Sequence, residues 1–171
     1  MTPSERTAIV GGTFTPIHDG HRALLHATFQ TASHEGEGAG HVIVALTSSG
    51  FAERARSPAY AEFLGPFQER REALEEELGR IGGAYTASVE IVKLEDAYGP
   101  AETRDDIDAL VVSPEGKAQH RAHELNERRV ADGRDPLEIH TAPFVIADDG
   151  TRISSTRIRN GEIDVHGRVL E

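Results

Sequence analysis

Short runs of apolar, β-branched residues recur along the chain and alternate with longer polar stretches of helical spacing. The runs "TAIVGG" (7–12), "HVIVALTS" (41–48), "SVEIVKL" (88–94), "ALVVS" (109–113) and "LEIHTAPFVIA" (137–147) predict five strands. Leu24, Leu25, Ala27 and Phe29 mark a helix from Asp19 to Ala32. A second helix covers Pro66 to Ile81, with Leu74 and Leu78 inward and Glu75, Glu76 and Glu77 on a solvated face. A third, Lys117 to Ala131, carries Leu125 and Val130 and ends before the turn cluster "DGRDP". The last, Ser154 to Asn160, stops at Gly161. "HEGEGAGH" (34–41) reads as a loop, and no internal repeat is visible. Strands alternating with helices predict an α/β fold, an open parallel sheet of five strands covered on both faces. A length of 171 residues predicts a single domain over 1–171.

Composition narrows the possible partners. Asp and Glu outnumber Lys and Arg by 29 to 18, a net charge of −11, and all the basic residues except Lys93 and Lys117 are Arg. Self-repulsion of that size opposes compaction unless salt screens it, which points to a salt-rich, halophilic cytoplasm, with an ordinary acidic soluble protein as the alternative. An acidic surface is a poor partner for nucleic acid, whose binders carry a basic stripe. A mean hydropathy of −0.43 and the lack of any run near the roughly 18 apolar residues of a spanning helix speak against a membrane. "MTPSERTAIV" has neither the basic stretch nor the apolar core of a secretory signal, so the expected location is cytoplasmic. The absence of cysteine removes disulfides, thiolate metal sites and a cysteine nucleophile together.

In an open parallel sheet, ligands bind beyond the carboxyl ends of the strands. "GGTFTPIHDGH" (11–21), "TSSG" (47–50), "EDAYGP" (95–100), "SPEG" (113–116) and "ISSTRIR" (153–159) each follow one of the five predicted strands. Gly11 and Gly12 allow a tight turn and a close approach to a ligand, and the helix starting at Asp19 directs its free N–H groups to the same place, where an anion is favoured. His18 and His21, three apart at that helix start, can donate to one phosphate; they can also simply satisfy nearby backbone groups. A zinc site would need a third ligand, and no His/Asp/Glu set at metal spacing accompanies the pair. Ser154, Ser155 and Thr156 are good helix-capping residues, yet one cap needs one hydroxyl. Three in succession, with Arg159 able to swing back, suit a polyphosphate; Arg157 reads as a surface residue.

"GGTFTPIHDGH" resembles the TFxPxHxGH signature of the nucleotidyltransferase superfamily, and "ISSTRIR" resembles its second signature, ISSTxIR. "LTSSG", "EDAYGP" and "ALVVSPEG" are similar to the archaeal and eukaryotic type of phosphopantetheine adenylyltransferase, and the likeness runs from about Ile9 to Val169. Family members usually carry Asp where Thr15 stands, "LTSDE" where this chain has Ser49 and Gly50, and Thr where Gly116 stands. The resemblance implies a Rossmann-like nucleotidyltransferase fold and transfer of the adenylyl group of ATP to 4'-phosphopantetheine. It implies His18 and His21 as catalytic donors to the α-phosphate and bridging oxygen. Gly12, Thr13 and Phe14 would meet the phosphates, with Thr13 also meeting the entering nucleophile. Ser154, Ser155, Thr156 and Arg159 would grip the β- and γ-phosphates, and Ser113 and Glu115 would lie near the nucleoside. For the acceptor it implies Arg56 and Arg70 at the phosphate and Thr47, Asp96 and Tyr98 along the pantetheine. Mg²⁺ would arrive with ATP, held by phosphates and water. Two rival readings are a sister enzyme, acting on nicotinamide mononucleotide or using CTP, and a nucleotide-binding module without turnover.

Overall fold

In the computed structural model, which describes residues 5–33, 39–56 and 58–171, the first strand feeds two separate apolar layers. β1 (Thr7–Gly12) sends Ala8 and Val10 into one cluster and Ile9 into the other, as the two-residue period of a strand dictates. β2 (Gly40–Thr47) divides in the same way, Val42, Val44 and Leu46 against Ile43. The first layer is closed by α1 (Asp19–Ala32), with Leu24, Leu25 and Phe29, and, beyond α2 (Ser49–Ala55) and α3 (Pro58–Leu64), by α4 (Phe67–Gly82), with Leu74, Leu78 and Ile81. Full burial of each such side chain contributes roughly 1.5–3 kcal/mol.

Three further strands complete the sheet: β3 (Ala87–Leu94), β4 (Ala109–Val112) and β5 (Glu138–Thr141). The order is β3-β2-β1-β4-β5 and every pair is parallel. Strand order therefore reverses between β1 and β4, where Ile9 is in register with Leu110. The second layer is closed by Ala101 of α5 (Pro100–Thr103) and Leu125 of α6 (Gly116–Ala131). Arg129, buried on α6, donates to the carbonyls of Ala101 and Arg104 at 2.7 and 2.9 Å and so satisfies the end of α5. α7 (Ser155–Arg159) is the last helix, and Ile153 beside it packs with Ala147 and Ile163.

The α/β sheet, its five strands and the four predicted helices are present, with several corrections. Residues 49–55, 58–64 and 100–103 form the unpredicted helices α2, α3 and α5. β5 ends at Thr141, and the remainder of the run predicted to reach residue 147 leaves the sheet after Ala142, whose N–H bonds to the Val112 carbonyl at 2.9 Å just before Pro143 turns the chain away. Gly40 opens β2 rather than closing a loop; residues 34–38 of that loop lie outside the described residues. Glu77 is not on a solvated face: it is 6% exposed and accepts from Arg22 Nε at 2.8 Å, joining α4 to α1. Val130 is 57% exposed, one residue off the inward stripe that Leu125 marks.

Candidate active site

A cleft of about 510 Å³ opens over the carboxyl ends of β1 and β4, where the strand order reverses. One wall is the turn from β1 into α1. There Phe14, buried with φ of 49°, folds its ring back, and its centroid lies 5.3 Å from that of His21. His18 is the N-cap of α1 and His21 the third residue of the helix. Their backbone N–H groups each donate to the other's Nδ1 at 3.3 Å, a reciprocal cap of the kind usually made by Ser and Glu. The rings stack at 3.8 Å, 20° from parallel. Gly20 makes this possible, since a Cβ there would lie 2.8 Å from Cε1 of His18.

With both Nδ1 atoms accepting, the ring protons reside on Nε2. Both rings are held neutral. Burial lowers the pKa of His18 to about 4, assisted by the nearby Arg22 charge. Burial and the neighbouring His18 ring lower that of His21 to about 3, against a smaller opposing effect of the Pro16 carbonyl. The pair therefore offers neutral N–H donors rather than cations or a base in need of a proton.

The facing wall is the segment entering α7. Ser154 is its N-cap and accepts from the Arg157 N–H at 3.3 Å, so the helix start uses one hydroxyl of the three. Thr156 Oγ1 accepts from Arg159 Nη2 at 3.2 Å, and both Ser155 and Arg159 line the cleft. The carbonyl of Ile153 lies 3.8 Å from the Cβ position of Gly20, so the two signature segments meet. Arg157 does not line the cleft but pairs with Asp149, as its surface reading anticipates.

Gly12, Thr13, Phe14, Thr47, Arg56, Tyr98, Ser113 and Glu115 share this cleft with the histidines and residues 154–156. Thr47 Oγ1 donates to the Gly12 carbonyl at 3.1 Å, and the Tyr98 hydroxyl donates to Glu124 at 3.1 Å. Arg70 and Asp96 do not line it. Arg70 is buried behind it and donates from Nη1 to the Thr47 carbonyl at 2.8 Å, while its Nε has no partner. Asp96 accepts the backbone N–H groups of Tyr98 and Gly99 at 3.0 and 2.6 Å, which shapes the loop after β3. Three cleft residues went unread in the sequence: Lys117 and Arg121, one turn apart on α6, and Arg152, paired with Glu115. Among the described residues the charged lining is then Arg56, Lys117, Arg121, Arg152 and Arg159 against Glu115 alone, a cationic cleft in a chain of charge −11.

Residues 9–161 match the cytidylyltransferase-like family. A protein of Methanosarcina mazei named phosphopantetheine adenylyltransferase is 38% identical over 160 residues, 94% of each chain. One of Methanopyrus kandleri with the same name is 37% identical over 166 residues, 96% of each. The chain belongs to the phosphopantetheine adenylyltransferase family. Among solved structures, a protein of unknown function from Archaeoglobus fulgidus is similar with a TM-score of 0.62 and 27% identity, covering 81% of this chain and 99% of that one. Of the three departures from the family pattern, Thr15 donates to the Thr13 carbonyl at 3.3 Å, Ser49 opens α2 and Gly116 opens α6.

Proposed function

We propose that this cleft joins ATP to 4'-phosphopantetheine, releasing pyrophosphate and forming dephospho-coenzyme A. The observation that carries the reading is the convergence of the stacked histidines and residues 154–156 on one cation-lined cavity. An acceptor phosphate oxygen attacks the α-phosphorus of ATP, and the bond from that phosphorus to the oxygen bridging to the β-phosphate breaks. The attacking oxygen is already anionic, so no general base is needed. Catalysis is then alignment of two anions and stabilisation of charge on the α-phosphate and on departing pyrophosphate. The neutral Nε2–H groups of His18 and His21 serve the first. The hydroxyls of Ser155 and Thr156 with Arg159 serve the second. Gly12, Thr13 and Phe14 supply backbone contacts to the phosphates, and Ser113 and Glu115 flank the nucleoside. Thr13, Thr47, Arg56 and Tyr98 receive the acceptor, while Arg70 and Asp96 act from behind the lining by fixing Thr47 and the Tyr98 loop.

The described residues contain no group of three His, Asp or Glu fit for a metal, and Glu115, the one carboxylate lining the cleft, is engaged by Arg152. Mg²⁺ therefore fits only as the counter-ion of ATP, coordinated by phosphates and water, and no step here passes through a protein-held ion. The net charge supports a salt-rich cytoplasm as the setting.

The test is pyrophosphate release in high KCl with MgATP and, in parallel, 4'-phosphopantetheine, nicotinamide mononucleotide and glycerol 3-phosphate, with CTP replacing ATP in a second set. Release confined to ATP with 4'-phosphopantetheine is the expected result. Release with another acceptor, or with none, overturns the reading.

A further inference from the structure

We infer that Tyr60, on α3, is a positioning residue that holds Arg159 and Arg56 toward the ligand; the inference rests on the adenylyl-transfer reading above. The Arg159 guanidinium lies 5.4 Å from the centroid of the Tyr60 ring, and that of Arg56 lies 4.5 Å from the same ring. Phe63, one turn further along α3, stands 5.2 Å from Arg159 although 57% exposed. Tyr60, Arg56 and Arg159 all line the cleft. Beyond these rings, among the described residues, Arg159 makes one side-chain hydrogen bond, to Thr156, and its Nη1 is buried without a partner.

The choice of neighbour matters chemically. A carboxylate would fix an arginine equally well but would cancel the charge that a phosphate needs. An aromatic face attracts the guanidinium through its quadrupole and leaves that charge available. In a chain with 29 acidic residues, Arg56 and Arg159 form no ion pair among the described residues and sit against rings instead. Two cations sharing one ring also repel each other, a cost that an intervening polyanion removes. Arg159 stands beside residues 154–156, and Arg56 caps the end of α2. One ring thus sets the orientation of a cation at each of two elements of the cleft.

The experiment is a double-mutant cycle read by calorimetric binding of MgATP and, separately, by pyrophosphate release with 4'-phosphopantetheine. Tyr60→Leu should weaken MgATP binding about tenfold, the order of a desolvated cation–π contact. Tyr60→Phe, which keeps the ring, should restore binding to within about twofold of wild type. In an Arg159→Ala background, Tyr60→Leu should cost no further MgATP affinity, while pyrophosphate release should still fall because Arg56, at the acceptor, loses the same ring. The binding stoichiometry reports the folded fraction, so the affinity refers to folded molecules. Tyr60→Leu within about twofold of wild type, affinity losses that multiply in the double variant, or failure of Phe to rescue would each overturn the assignment. Wild-type protein that binds MgATP without releasing pyrophosphate would remove the catalytic reading while the binding cycle still decides Tyr60. No MgATP binding by wild type would remove both.

Discussion

His18 and His21 cap the start of α1 with the same ring atoms that fix their protons. Each Nδ1 receives the other's backbone N–H, which places the ring proton of each on Nε2. Replacing His21 by Ala removes one donor to developing charge and should lower kcat on the order of a hundredfold, roughly 3 kcal/mol, at saturating ATP. A variant within about threefold of wild type would contradict its role. The pair also titrates out of the usual range. As pH falls below the ordinary histidine value of 6.5, the unfolded chain takes up protons that the folded rings, lowered to about 4 and about 3, refuse. Their contribution to stability is therefore complete above pH 6.5 and is lost as pH falls through 4 and 3. The NMR ring signals of His18 and His21 should stay flat from pH 8 to 5 in the free protein; a midpoint near 6.5 would contradict their burial. The motif residues were legible in the sequence because both histidines and all three hydroxyls sit within short, contiguous segments. Lys117, Arg121, Arg152 and Tyr60 were not, since only the tertiary fold brings α3, α6 and the loop before α7 to one cleft.

Among the elements, α1 was readable to the residue because Leu24, Leu25 and Phe29 recur at helical spacing and fill one layer. α2 and α3 were not, being seven residues each, with Pro58 and Gly65 breaking any longer period. The true extent of β5 was hidden for another reason: the apolar residues after Thr141 are the ordinary signal of a strand, yet Pro143, Phe144 and Val145 face the cleft instead. Gly40 shows how composition misleads. It belongs to a glycine-rich stretch that reads as a loop, but it opens β2 against the last turn of α1, where a Cβ would overlap the Ala32 carbonyl. Gly40→Ala should therefore destabilise the protein by about 1–3 kcal/mol in urea unfolding, the usual cost of overpacking. An unchanged midpoint would mean that β2 and α1 can separate freely there. Glu77 makes the complementary point, since three consecutive glutamates look solvated in one dimension while the fold buries one of them against Arg22.

Over the whole molecule, charge is sorted by place. The chain carries −11, while the lining of the cleft, among the described residues, gathers five basic side chains and one acidic one. The acidic exterior should make folding depend on screening: raising KCl from dilute buffer to the molar range should raise the denaturation temperature, and a protein most stable without salt would contradict this. Total charge is plain from the sequence but this sorting is not, because Arg121 and Arg128 lie on one helix and only the first lines the cleft. ATP and 4'-phosphopantetheine are themselves anions, so at long range the shell turns away the molecules that the cavity attracts. Ions thin that outer barrier first, since an enclosed surface is less accessible to them than an open one. Capture of both anions should then quicken as the medium grows more concentrated, the reverse of an enzyme that draws its substrates in with an oppositely charged exterior.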